Sequence, residues 1–246
     1  VVDDVRFFTG LHQPSDAKHV DAAFISVNRL RKRKGAFQVG DWIMDSGAFS
    51  TILTHGGYPH PVSEYAEQIK RWRHNGNLLA TVAQDFMCEP AMLARTGLTV
   101  ADHQRLTVER YDSLLASDVG VYVMPVLQGY DPQEYVDHIV MYGDRLAHGA
   151  WVGVGSVCKR NGNVRAIESV LLAIHSARPD LKLHGFGLKK TALGSGLVDR
   201  LLHTADSMAW SFAERRMRTG KQNDWRAAVR FKGEIDRRPI QSVLFV

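Results

Sequence analysis

The chain has little cysteine and no long apolar run, and both shortages narrow what it can be. Its two cysteines, Cys88 and Cys158, share no Cys-x-x-Cys spacing and have no histidine cluster beside them. A disulfide framework or a structural metal site is therefore not expected, and each thiol reads as a packing residue or one beside a site. No apolar stretch reaches the ~18 residues that a membrane span requires, and no basic-then-apolar leader opens the sequence, so a cytoplasmic protein is expected. The first residue is Val1 rather than methionine, which points to trimming or truncation. Internal repeats and low-complexity tracts are missing as well. Gly-x-Gly-x-x-Gly does not follow the first strand-like run, so an open doubly wound sheet, the main rival to a barrel, lacks its dinucleotide fingerprint.

What is present suits one large α/β domain. The 246 residues are 45% apolar, and a single barrel of ~250 residues buries its core without help. Strand-like segments fall near 7–11, 22–27, 42–46, 80–85, 121–127, 151–155, 182–187 and 205–209. Helical spacing separates the later ones: Val62, Tyr65, Ile69 and Trp72 recur on one face, Thr99 precedes another helix, Asp131-Pro132 starts a third, and Asn163 caps a fourth that Arg178-Pro179 ends. The repeated strand–helix order predicts a single TIM-like (β/α)8 barrel over residues 1–246, with 211–246 as a basic C-terminal helical tail too short for a core of its own.

The net charge is +5, unevenly placed. Five cations crowd the six positions from Arg29 to Lys34, and Arg215 to Arg238 holds nine basic residues against three acidic ones. Such clusters suit a polyanion, because each cation near a phosphate releases condensed counterions; a solvated loop and a solvated helix are the plain alternative. Arg31, Lys32, Arg33, Arg215 and Arg216 are accordingly candidate nucleic-acid contacts. Lys159 and Arg160, at a strand mouth, are better placed.

Most strand-like runs finish on an acid, an amide or glycine. Asp45, Asp85, Gln128, Gly155, Gly187 and Asp206 all stand at or just beyond such ends, and in a barrel those ends converge on one mouth. The set has a chemical meaning for a guanine-like base. Donors at N1 and N2 suit a carboxylate, for which Asp85 is the candidate, and the O6 acceptor suits Gln128 with a backbone N–H near Gly155 or Gly153. Asp45 and Asp206 remain for bond breaking, since paired carboxylates beside a glycosidic carbon divide nucleophilic and proton-handling duties. Each acid alone would read as a helix cap, and each glycine alone as a packing or twist residue. The histidines show no metal-like pairing and read as hydrogen-bonded structural residues.

These strings carry a resemblance. Asp45-Ser46-Gly47-Ala48-Phe49 resembles the Asp-Ser-Gly-Gly-Phe motif of tRNA-guanine transglycosylases, Val126-Leu127-Gln128-Gly129 their Val-Gln-Gly strand end, and Asp206-Ser207-Met208-Ala209-Trp210 their nucleophile motif. The closer resemblance is to the DpdA family of 7-deazaguanine DNA transglycosylases, through Gly10 to Ala17, Gln84 to Pro90 and Trp151 to Asn161. It implies Asp206 as nucleophile, Asp45 as general acid/base, Asp85, Gln128, Gly153 or Gly155 and Gly187 around the base, and Ser46 beside it. It also implies DNA and a free 7-deazaguanine base of the preQ0 type as partners, and no cofactor. The Cys-x-Cys-x-x-Cys zinc subdomain of the tRNA enzymes has no counterpart here, which favours DNA. A tRNA substrate, a non-catalytic nucleic-acid-binding barrel and a hydrolytic nucleosidase remain the alternatives.

Overall fold

A computed structural model describes residues 5–160, 162–211 and 223–238. Its strands are β1 (Arg6–Gly10), β2 (Ala22–Ser26), β3 (Asp41–Asp45), β4 (Asn77–Val82), β5 (Tyr122–Met124), β6 (Val126–Leu127), β7 (Trp151–Val154), β8 (Lys182–Gly185) and β9 (Leu202–Ser207). Neighbours pair in parallel in the order β5-β4-β3-β2-β1-β9-β8-β7-β6. The two ends of that order are halves of one strand. Pro125 alone separates β5 from β6, and with no N–H to give a ladder it breaks the strand. Its carbonyl still accepts the Gly153 N–H at 2.8 Å, and the first half holds β4 while the second holds β7. The sheet thus closes as the eight-stranded TIM-like barrel expected from the sequence.

The helices are α1 (Ala48–His55), α2 (Val62–Trp72), α3 (Pro90–Thr96), α4 (Val100–Leu115), α5 (Pro132–Tyr142), α6 (Val164–Ala177), α7 (Lys190–Leu193), α8 (Gly196–Leu201) and α9 (Trp225–Asp236). Their starts follow local chemistry. Thr99 Oγ1 accepts the Asp102 N–H at 3.2 Å while Asp102 accepts the Thr99 N–H, Asp131 and Glu134 make the same reciprocal pair, and Asn163 accepts from Ala166. Phe8, Phe24, Ile43, Val82 and Met124 plug the barrel interior, and a larger apolar layer fills the space between sheet and helices.

Two features depart from the simple alternation. The first two crossovers are short 3₁₀ turns, Pro14–His19 and Val27–Arg29, in place of full helices. The basic segment near the C-terminus supplies a wall on that side: α9 buries Ala227, Ala228 and Ile235, Phe231 meets Phe7, and the Trp225 ring stacks on His19 at 3.7 Å. Just beyond α9, Arg238 pairs with Asp199 of α8, both side chains 8% exposed, and gives a further N–H to the Leu193 carbonyl at 2.8 Å. Asp199→Ala leaves that guanidinium buried without its counter-charge, and a loss of about 3 kcal/mol in urea unfolding is expected.

Candidate active site

Asp206 lies one residue before the end of β9 and is 5% exposed. Its Oδ1 accepts the Gly187 N–H at 3.0 Å and faces His184 Nε2 at 3.3 Å. The far side of that imidazole is fixed too: Nδ1 lies 2.8 Å from Thr204 Oγ1, which receives the Trp151 indole N–H at 2.8 Å. The chain is satisfied when the Thr204 hydroxyl donates to Nδ1 and Nε2–H donates to the carboxylate. Gly187 turns its N–H onto Asp206 with φ at +63°, and a Cβ there would stand 2.9 Å from that of Cys158. Gly187 therefore holds the acid in place.

Asp45 closes β3 and accepts the Gly47 N–H on Oδ2 at 3.0 Å. Gly47 is left-handed, and a Cβ there would meet the Asn28 amide at 2.3 Å. Burial pushes Asp45 up to about 6; the Ser26 hydroxyl opposes this and the Asp206 charge adds to it. Asp85, three residues past β4 and 6% exposed, is pushed up to about 7, again by burial first, against the Gln128 hydrogen bond and with the help of Asp45. The three carboxylates thus share one mouth and feel one another. Ser46 is buried between them and Tyr58, whose hydroxyl donates to the Asp85 carbonyl at 2.9 Å.

Gln128 follows β6 and links the loops after β4 and β7. Its amide nitrogen donates to Asp85 Oδ2, and its Oε1 accepts the Ser156 hydroxyl at 2.8 Å. Ser156 Oγ in turn accepts the Cys88 N–H at 3.0 Å. The Gln128 backbone is held by His138 Nδ1 and by the Gln104 amide, and burial pushes His138 down to about 3, keeping it neutral as an acceptor. Gly155 is required for this arrangement, because a Cβ there would lie 2.1 Å from Gln128 Nε2.

The backbone donor expected near Gly155 is not the N–H of Gly155 or of Gly153 itself. The Gly155 N–H goes to the Leu127 carbonyl at 2.9 Å and the Gly153 N–H to Pro125, so neither can serve a base without breaking the sheet. Gly153 makes room instead for the Phe186 ring, 2.4 Å from where its Cβ would be.

The cations are placed unequally. The Lys159 ammonium stands over the Phe49 ring at 4.4 Å, and Arg160 covers Tyr130 at 4.3 Å while donating to its carbonyl, so both ring the mouth. Arg31 is ion-paired to Glu64, and Lys32 is exposed. Arg33 donates to Gly35 and Ala36, and its carbonyl receives Arg71 from the last turn of α2, near the opposite face. Arg33 thus stands away from the mouth that Lys159 and Arg160 border. Arg215 and Arg216 lie outside the described residues. A cavity of about 400 Å³ lies where β5, β7 and β8 begin, lined by Tyr122, Trp151 and Lys182, at the far end from the carboxylates.

Three residues that sequence reasoning left out belong to the site. His184 sits at an inward position of β8, in register with Thr204 of the strand that carries Asp206. Tyr58 follows the Gly56-Gly57 pair, and Ser156 adopts φ +58°, a left-handed conformation rare outside glycine. Among the described residues, no group of three or more His, Cys, Asp or Glu is arranged to hold a metal, and no helix is long and apolar enough to cross a membrane.

Asp85→Asn tests the electrostatic account. An acid raised in the folded state stays protonated to higher pH than in the unfolded chain, so its unfavourable effect is absent below about pH 4 and complete above about pH 7. The variant is expected to match the wild type in urea unfolding near pH 4 and to exceed it at pH 8, by roughly 4 kcal/mol at most.

No curated protein matches the chain. The family described as DpdA, DeoxyPurine in DNA protein A, matches residues 4–226, a span that takes in every strand and all the acids and amides above, and the chain belongs to this DpdA family.

Proposed function

We propose that the protein exchanges guanine in DNA for a free 7-deazaguanine base of the preQ0 type, through a covalent bond between Asp206 and the deoxyribose. The observation that supports this best is the division of labour among three neighbouring carboxylates: Asp206 held by two donors, Asp45 raised to about 6, and Asp85 joined to Gln128. A guanine that leaves the stack presents its N1 and N2 hydrogens to Asp85. The second N–H of the Gln128 amide, the one not held by Asp85, meets O6.

Asp206 then attacks C1′, the C1′–N9 bond breaks with its electron pair leaving on guanine, and Asp45 gives that base a proton. The incoming base returns a proton to Asp45, its N9 attacks C1′, and the Asp206 carboxylate is released. Lys159 and Arg160 are the phosphate contacts of this reading, and loss of their present aromatic contacts accompanies binding.

Labelled 7-deazaguanine offered with duplex DNA or bulk tRNA tests the proposal. Label in DNA, recovered as an intact nucleoside by mass spectrometry, is the expected result. Label in tRNA with silent DNA, or abasic sugar without exchange, overturns it.

A further inference from the structure

His184 is an imidazole enclosed among aromatic rings, where packing alone has no use for its two nitrogens. It is fully buried, its ring stacks on Phe24 at 5.6 Å and 14°, and Phe186 meets it edge-on at 4.8 Å. Packing of this kind holds a side chain in one rotamer, and in that rotamer both nitrogens have polar neighbours.

The hydrogen count favours one placement of the ring hydrogen. Thr204 Oγ1 takes the Trp151 indole N–H, and Thr204 is 2% exposed, so its own hydroxyl hydrogen needs an acceptor inside the protein. Among the described residues that acceptor is His184 Nδ1, 2.8 Å away. Nδ1 then offers its lone pair, and the ring hydrogen stands on Nε2, toward Asp206.

Both donors to Asp206 end on the same oxygen. The Gly187 N–H reaches Oδ1 at 3.0 Å and Nε2 faces it at 3.3 Å, which leaves Oδ2 for another bond. Resting on the exchange reading, that bond is the one to C1′. We infer that Asp206 attacks through Oδ2, and that His184 is a positioning residue which, with the Gly187 N–H, receives the charge on Oδ1 when the carboxylate is expelled.

The electron count gives this role a direction. While the adduct stands, Oδ2 is bonded to C1′ and Oδ1 is an uncharged ester carbonyl oxygen. As N9 of the incoming base attacks, the C1′–Oδ2 electron pair returns to the carboxylate and charge spreads onto Oδ1, where a hydrogen bond becomes roughly twice as strong. The two donors therefore favour the release of Asp206 over its attack, and base exchange needs a nucleophile that also leaves.

An adduct formed on duplex DNA without free base, cleared of displaced guanine and then chased with 7-cyano-7-deazaguanine, separates the two steps. In His184→Leu, which keeps an apolar side chain among those rings, the chase is expected to slow by about tenfold to a hundredfold while adduct formation stays within about threefold. In His184→Gln, whose amide nitrogen falls near the place of Nε2, the ratio of the two rates is expected to stay within about threefold of the wild type. Each ratio is taken within one variant, so a general loss of active protein cancels. A wild-type ratio in His184→Leu overturns the role, and so does the same fall in both variants. Should the wild type form no adduct on DNA, the exchange reading fails instead. Nitrogen NMR of the imidazole then still decides where the hydrogen stands: Nε2 is expected, and a hydrogen on Nδ1 overturns the assignment.

Discussion

Asp206→Asn abolishes incorporation of labelled base, by at least about a thousandfold, while DNA affinity stays within about twofold of the wild type. The size follows from the role proposed for this carboxylate. An amide cannot attack C1′ usefully, and no neighbouring acid is placed to take over: Asp45 is tied to the Gly47 N–H and Asp85 to Gln128. The substitution itself is mild. Asn keeps an oxygen where Oδ1 now receives the Gly187 N–H and faces His184, so β9 and the loop after β8 keep their anchor. A charge is removed from beside Asp45, and the burial that raises Asp45 then acts with one reinforcing neighbour fewer. Steady-state incorporation and fluorescence anisotropy with duplex DNA measure the two halves. A wild-type sample quenched in denaturant is expected to carry a DNA–protein adduct that the variant lacks. Full exchange by Asp206→Asn rejects the assignment of the nucleophile.

How much of this was legible beforehand depends on which atoms a claim concerned. The order of elements was, because apolar runs and cap residues such as Thr99 and Asn163 act locally, and those helices begin where their side chains bond. The acids were legible as well, since a carboxylate at the outgoing end of a strand is positioned by the barrel whatever surrounds it. Hydrogen-bond partners were not. A backbone donor for a base was expected near Gly155, but the sequence did not show that this residue's own N–H is used within the sheet and that its missing side chain serves Gln128. Likewise Arg33 sits in a run of cations, and sequence proximity to Arg31 did not show that the run descends the wall toward the opposite face. The segment from Arg215 onward read as a tail because it is too short for a core of its own. The few residues that α9 buries, Ala227, Ala228 and Ile235, are enough to dock it where two crossovers lack helices.

Asp45→Asn removes the proton carrier, and the loss expected at the optimum is between about a hundredfold and ten thousandfold. The pH profile says more than the size. In the first half of the exchange Asp45 has to arrive protonated and Asp85 has to arrive ionised, one to donate to the leaving base and the other to accept its N1 and N2 hydrogens. Burial raises both, Asp45 to about 6 and Asp85 to about 7. Activity therefore climbs as Asp85 ionises through about 7 and declines as Asp45 loses its proton above about 6, which puts the maximum of kcat/KM for DNA between those values. Only a minority of molecules hold both states together there, so the bell is low and narrow. Asp45→Asn is expected to abolish the alkaline limb while keeping the acidic one. An unchanged alkaline limb in that variant assigns the proton to another group, and a wild-type profile rising steadily to pH 9 removes Asp45 from the proton-handling role.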